Sequence, residues 1–143
     1  ISFSGLNTQA LLAMSSDMSV KEICSLPRGC HNAMPFADGV IFNDTASDTV
    51  RFVSRSAAEV QISVPLFPSN ELDFMGVDDS KVARQGFGRG LCVLDDGLVA
   101  AGSSPSTISI IDIVKGERLT AVNLTMDIRN AIHGLERWPA EWP

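Results

Sequence analysis

The sequence predicts an all-β fold made of a repeated unit of four antiparallel strands, and three observations lead there. Short β-branched runs bounded by Gly, Asp, Ser and Pro recur along all 143 residues, whereas helical periodicity is scarce. The chain also superposes on itself. Laying "CHNAMPFADGVIFNDTASDTVRFVSRSAAEVQISV", from Cys30, over "GRGLCVLDDGLVAAGSSPSTISIIDIVKGERLTAV", from Gly88, needs no gap at an offset of 58 (88 − 30). Each copy then divides into the same four apolar runs, with Asp38-Gly39 over Asp96-Gly97, and Val40, Phe42, Val50, Phe52 and Val53 over Leu98, Ala100, Ile108, Ile110 and Ile111.

Residues 1–27, "ISFSGLNTQALLAMSSDMSVKEICSLP", resemble strands b, c and d of this unit, with Phe3-Ser4-Gly5 over Ala100-Ala101-Gly102 once the b–c turn changes length slightly. Strand a is missing there. Residues 28–64 form a full unit: strand a "NAMPF", an Asp-Gly turn of hairpin type, strand b "VIFND", a Thr-Ala-Ser-Asp turn, strand c "TVRFVSR" and strand d "EVQISV". Residues 65–87 are a long connecting loop. Residues 88–125 repeat the unit with "GLCVL", "LVAAG", "TISIIDI" and "ERLTAV". Residues 129–139 then read as a lone strand a, with Gly134-Leu135 over Gly90-Leu91 and Trp138 and Trp142 anchoring it against a neighbouring sheet. The adjacent prolines suit a strand end, where a missing ladder donor is tolerated.

The order b-c-d, a-b-c-d, a-b-c-d, a sums to three four-stranded units, which is the layout of β-propeller blades. A β-sandwich explains the strand lengths but not the offset. Residues 1–143 therefore read as a single half-propeller domain. Three blades are too few to close a ring. Two copies would make six, each C-terminal strand a completing the partner's N-terminal sheet by strand exchange and removing an open edge. This predicts a homodimer and an unstable isolated monomer; half of a longer propeller chain is the alternative.

On this strand pattern the chain resembles the six-bladed β-propeller superfamily broadly, including the NHL-repeat, lactonase-type and YVTN-type families. The resemblance covers nearly all the chain, without a lactonase signature for metal ligands or the Gly-His and Trp-Asp pairing of the WD type. It implies that strands a line a central channel and that the d–a and b–c loops border one mouth.

Composition narrows the partners. A net charge of −6 argues against nucleic acid, whose binding comes mainly from Lys and Arg displacing counterions. No window holds the roughly 18 apolar residues of a membrane-spanning helix. With no signal peptide evident, a soluble, cytoplasmic protein is expected, although a start at Ile1 rather than Met fits a trimmed, processed or partial chain. Cys24, Cys30 and Cys92 lack metal-ligand spacing and read as reduced thiols. The sequons at Asn43 and Asn123 mean little without a secretory leader.

The alignment places His31, Arg89 and His133 at one repeat position, just before strand a. Both histidines of the chain thus fall at the same place in the repeat. Imidazoles suit zinc, iron or copper and exchange protons near neutral pH, so His31 and His133 are candidate ligands of a divalent metal. A His/Arg ring would equally clamp a carboxylate or phosphate, with Arg89 giving the bidentate contact. Asn32, Arg129 and Asn130 lie beside these positions, and Asn43-Asp44 ends strand b at the same mouth. Asp44 is a candidate polar contact, while Asn43 reads as an Asx-type turn. As a set, His31, Asn32, Asp44, Arg89, Arg129, Asn130 and His133 form the predicted ligand site.

In the long loop, Phe74 and Met75 read as a satellite core and Asp78-Asp79 as a solvated turn. Gly86-Phe87-Gly88-Arg89 lacks the strand-to-helix context of a nucleotide loop, and Ser103-Ser104-Pro105-Ser106 reads as turn rather than nucleophile. The function expected is a self-assembling propeller that binds a small polar or anionic ligand. The alternatives are a metal-dependent hydrolase or lyase at the same mouth, and a structural or protein-interaction propeller.

Overall fold

A computed structural model describes residues 1–4, 8–76, 84–95 and 97–139. The described residues are all-β, in three antiparallel sheets. The first holds β1 (Ser2–Ser4), β2 (Ala10–Met14) and β3 (Val20–Ser25) in that order. The second runs β4 (Cys30–Phe36), β5 (Gly39–Asp44), β6 (Thr49–Ser54), β7 (Glu59–Ser63). The third runs β8 (Leu91–Asp95), β9 (Leu98–Ser103), β10 (Thr107–Asp112), β11 (Glu117–Asn123). Repeated meandering sheets of this kind are propeller-like. Among the described residues no helix is long and apolar enough to cross a membrane. Gly5, Asp78, Asp79, Asp96 and Trp142, which entered the sequence reading, lie outside the described residues.

Side-chain alternation gives the middle sheet two apolar faces. On one, Ile41, Val50, Ile62 and Val64 meet Leu91, Val99, Ala101, Ile111 and Ile113 of the third sheet, flanked by Met34, Phe36, Phe52 and Val60. On the other, Cys30, Ala33, Val40 and Phe42 meet Leu11 and Leu26, with Cys24 and Val53 at the margin. Between the first two sheets a cavity of about 740 Å³ remains, lined by Ile1, Leu11, Ile23, Val40, Val53 and Arg55 among others.

The gapless offset fails in one strand. Val53 pairs with Val40 and Ile111 pairs with Val99, so where strands c are 58 residues apart (111 − 53), strands b are 59 apart (99 − 40). Val40 and Phe42 therefore correspond to Val99 and Ala101, not to Leu98 and Ala100. Because successive strand residues face opposite sides, the one-residue difference decides which side chains reach the core. Two local changes produce and absorb it. The b–c turn spans residues 45–48 in the middle sheet but only 104–106 in the third, and the a–b end of the third sheet takes an irregularity between Val93 and Asp95.

Of the two Asp-Gly turns, the one in the middle sheet is corrected, whereas in the third the pairing of Asp95 with Leu98 leaves positions 96 and 97 as the loop, with Gly97 at a φ of 93°. In the middle sheet Phe36 pairs with Gly39, so the two-residue loop is Ala37-Asp38. Gly39 is the first residue of β5, where a Cβ would fall 2.1 Å from the Val53 carbonyl oxygen. What glycine supplies there is close backbone approach.

Residues 131–138 form no ladder with any of the described residues, so the lone strand expected at 129–139 is not one here. They lie along the third sheet instead. The Gly90 N–H donates to the Ile132 carbonyl (2.8 Å), the Ser106 N–H to the Asn130 carbonyl (2.9 Å), and Arg137 Nη1 to the Leu94 carbonyl (2.7 Å). A Cβ on Gly102 would fall 2.6 Å from the Ile132 side chain, so this C-terminal arm sits directly on β9.

Candidate functional site

The end of the long connection is fastened across two turns. Arg84 Nη1 bonds Asp48 (2.6 Å), and its Nη2 donates to the Thr45 carbonyl in the b–c turn of the middle sheet. The Gly86 N–H donates to the Ser104 carbonyl (2.9 Å) and the Ser104 N–H to the Phe87 carbonyl (3.1 Å) in the corresponding turn of the third. Asn43 Nδ2 donates to the Gly90 carbonyl (3.1 Å) and Thr45 Oγ1 to the Gly88 carbonyl (3.0 Å). Asn43 is thus more than a turn residue, since its fully buried amide joins two sheets. These bonds place Phe87 and Arg89 between the b–c turns.

Buried Phe87 is the platform of the site. The Arg89 guanidinium lies 4.5 Å from its ring centroid, the His31 ring 5.7 Å away, and the Arg84 guanidinium 5.6 Å away. Arg89 Nη1 is 3.0 Å from His133 Nδ1. The three repeat-equivalent residues, His31, Arg89 and His133, therefore converge although they come from β4, the end of the long loop and the C-terminal arm. None of the ion pairs among the described residues includes Arg89, and its buried Nε has no hydrogen-bond partner among them. Burial, followed by the positive charge of Arg89 and of His133, holds the His31 pKa below its ordinary value. The cluster is electropositive with a part-buried, readily neutral imidazole at its base.

The other candidates are placed differently. Asn32 is exposed at positive φ (55°), where the β4–β5 pairing breaks between His31 and Met34. Asp44 is buried; its Oδ2 accepts from Arg51 Nη1 (2.9 Å) and Ser47 Oγ (3.1 Å), while Oδ1 has no partner among the described residues. Its charge is directed at Arg51, and it adds to the burial that raises the Cys30 thiol pKa. Arg129 is held by Asp127 in a two-point pair (Nε–Oδ1 2.9 Å, Nη2–Oδ2 2.7 Å) and stacks 3.5 Å over the Phe74 ring. Asn130 is exposed and engages through its backbone. Phe74 and Met75 are each 50% exposed, so they form no satellite core; Phe74 is covered by a guanidinium instead.

Sequence reasoning passed over Phe87 and Arg84 as site residues. The run "RQGFGR", Arg84 to Arg89, held the signal: an aromatic between two cations, flanked by glycines that let the loop lie close to neighbouring turns. Among the described residues no group of three His, Cys, Asp or Glu is arranged to hold a metal ion. A divalent cation between His31 and His133 would also face the Arg89 guanidinium. The 740 Å³ cavity lies elsewhere, and neither histidine nor Arg89 lines it.

No family model matches the chain, and neither does any curated protein sequence. Among solved structures, that of a streptogramin B lyase is similar to it with a TM-score of 0.44 and 10% identity, over 94% of this chain and 54% of that one. The chain spans about half the length of the structure it matches.

Proposed function

We propose that this chain is half of a six-bladed propeller, closed as a homodimer, that binds a small anionic ligand at the Arg89/His31/His133 cluster. The observation that carries the ligand is the convergence of Arg89 and His31 on the Phe87 ring, with His133 bonded to Arg89 and no carboxylate paired to Arg89 among the described residues. A guanidinium in that setting is a strong, two-point donor for carboxylate or phosphate. Protonation of His31 adds positive charge only below the ordinary imidazole range, because burial and then Arg89 and His133 lower its pKa.

The assembly reading rests on the two end sheets. Among the described residues the edge of β1 away from β2 is unpaired. The face of the first sheet turned from the second bears Phe3 and Val20, 41% and 52% exposed, and that of the third bears Ile108, Ile110 and 57% exposed Val122. Two open apolar faces at opposite ends of a chain are what two copies would bury against each other. Residues 129–139 supply the missing inner strand in this arrangement.

Calorimetric titration of the wild-type chain and Arg89→Gln with phosphate, citrate and a sugar phosphate tests the ligand. Binding of one of them, weakened at least ~10-fold in Arg89→Gln, is expected, since a charge-assisted pair contributes about 1.5–3 kcal/mol. Equal binding by both proteins would overturn the site. Stoichiometric zinc, iron or copper that is lost in His31→Ala would instead favour the hydrolase or lyase reading.

A further inference from the structure

We propose that the cleft between the first two sheets is a socket for the C-terminal arm of a second copy, occupied by that copy's Glu136 and Trp138. This rests on the dimeric reading above and assigns the contact that would hold it. The first sheet lacks what the others have: β4 and β8 lie on the inner edges of their sheets, whereas β1 has no strand beyond it among the described residues. The cavity of about 740 Å³ adjoins that edge, and Ile1 and Ser2 are part of its wall.

The middle sheet shows what an inner strand does for the interface ahead of it. Ala33 of β4 turns back toward the first sheet, while Met34 and Phe36 pack against the core shared with the third. Phe36 meets Phe52 edge-on, with centroids 5.6 Å apart and planes at 82°. Superposing His133 on His31, an offset of 102 (133 − 31), puts Leu135 on Ala33, Glu136 on Met34 and Trp138 on Phe36.

The arm obeys this alternation. Leu135 faces back to its own third sheet, where a Cβ on Gly90 would lie 3.1 Å from Leu135 Cγ, and Arg137 bonds the Leu94 carbonyl on the same side. By the same alternation Glu136 and Trp138 would face forward, away from the third sheet. Trp138 is 63% exposed. In a dimer, forward is the partner's cleft.

The socket fits these two side chains. It opens at the a–b turn end of the middle sheet, with Pro35, Ala37 and Gly39 in its wall, the level at which Phe36 sits one interface further on. An indole there would bury about 150–250 Å² of ring surface. Arg55 stands at the rim in none of the ion pairs among the described residues, beside Asp38, and offers Glu136 an opposite charge.

The test uses sedimentation equilibrium and a photo-crosslinker. Wild-type chain should be a dimer, and Trp138→Ala should raise its dissociation constant at least tenfold; Arg55→Glu should weaken it less, with recovery in the Arg55→Glu/Glu136→Arg double variant. With p-benzoylphenylalanine in place of Trp138, mixed isotopically labelled and unlabelled chains should crosslink between copies, onto residues 1–13 or 35–42. A wild-type dimer that crosslinks elsewhere, or that Trp138→Ala leaves unchanged, overturns the socket but not the dimer. A monomeric wild type overturns both.

Discussion

The two faces of the middle sheet meet very different neighbours. Toward the third sheet, Ile41, Val50, Val99 and Ile111 are at most 1% exposed, and side-chain bonds from Asn43, Thr45 and Arg118 cross the interface to backbone carbonyls. Toward the first sheet, Leu11 is fully buried but the surrounding space stays hollow. The sheets differ chiefly in one element, since β8 completes the third and nothing among the described residues completes the first. The closely packed interface is thus the one between two four-stranded sheets, and the hollow one borders the sheet with three.

Neighbouring truncations on opposite faces probe this contrast most sharply. Ile41→Ala should cost about 2–5 kcal/mol in urea unfolding, because the cavity it leaves is enclosed by close-packed side chains. Val40→Ala, one residue away on the hollow side, should cost only about 1 kcal/mol, since its methyl groups already lack some contacts. Equal losses would mean that the two interfaces are equally packed. Next in size comes Asn43→Ala, which strips the Gly90 carbonyl of its buried donor; a loss of about 1–3 kcal/mol is expected, with weaker ligand binding, because this bond helps to place Arg89.

The smallest effect concerns His31, which reports on the positive cluster. Its pKa is lowered in the folded chain by burial and by Arg89 and His133. As pH falls, the unfolded chain protonates this imidazole first, near its ordinary value of about 6.5, and so binds more protons than the folded chain. Its contribution is thus complete above that pH and is lost progressively as pH drops toward the folded value. His31→Gln should flatten that part of the stability profile. An anion in the site should move the His31 titration upward in an NMR experiment, and no movement with saturating ligand would place the anion elsewhere.

Much of the architecture was legible because β structure writes itself in alternation and turn residues. The four apolar runs of each repeat are strands β4–β7 and β8–β11, and the N-terminal runs are β1–β3. What the letters hid was pairing. Val40 over Leu98 looks as sound as Val40 over Val99, since both partners are apolar, and only the hydrogen-bonded ladder distinguishes them. The site shows the same division. Repeat position brought His31, Arg89 and His133 together on paper, but the Phe87 platform depends on a long loop with no counterpart before His31. Arg129 was misleading for a local reason: its nearest acid, Asp127, is two residues away, and such proximity claims a guanidinium before any ligand can.

The short turn at residues 104–106 and the irregularity between Val93 and Asp95 stand at opposite ends of β9, and each cancels the other's displacement. Both turn lengths join a directly paired couple, Asp44 to Thr49 and Ser103 to Thr107. Removing one residue from the 45–48 turn leaves three between Asp44 and Thr49, the number that joins the paired Ser103 and Thr107, so the faces of β5 should survive the deletion. What the repeat keeps constant is its total length: the residue missing from one connection reappears as Leu94 beside the other.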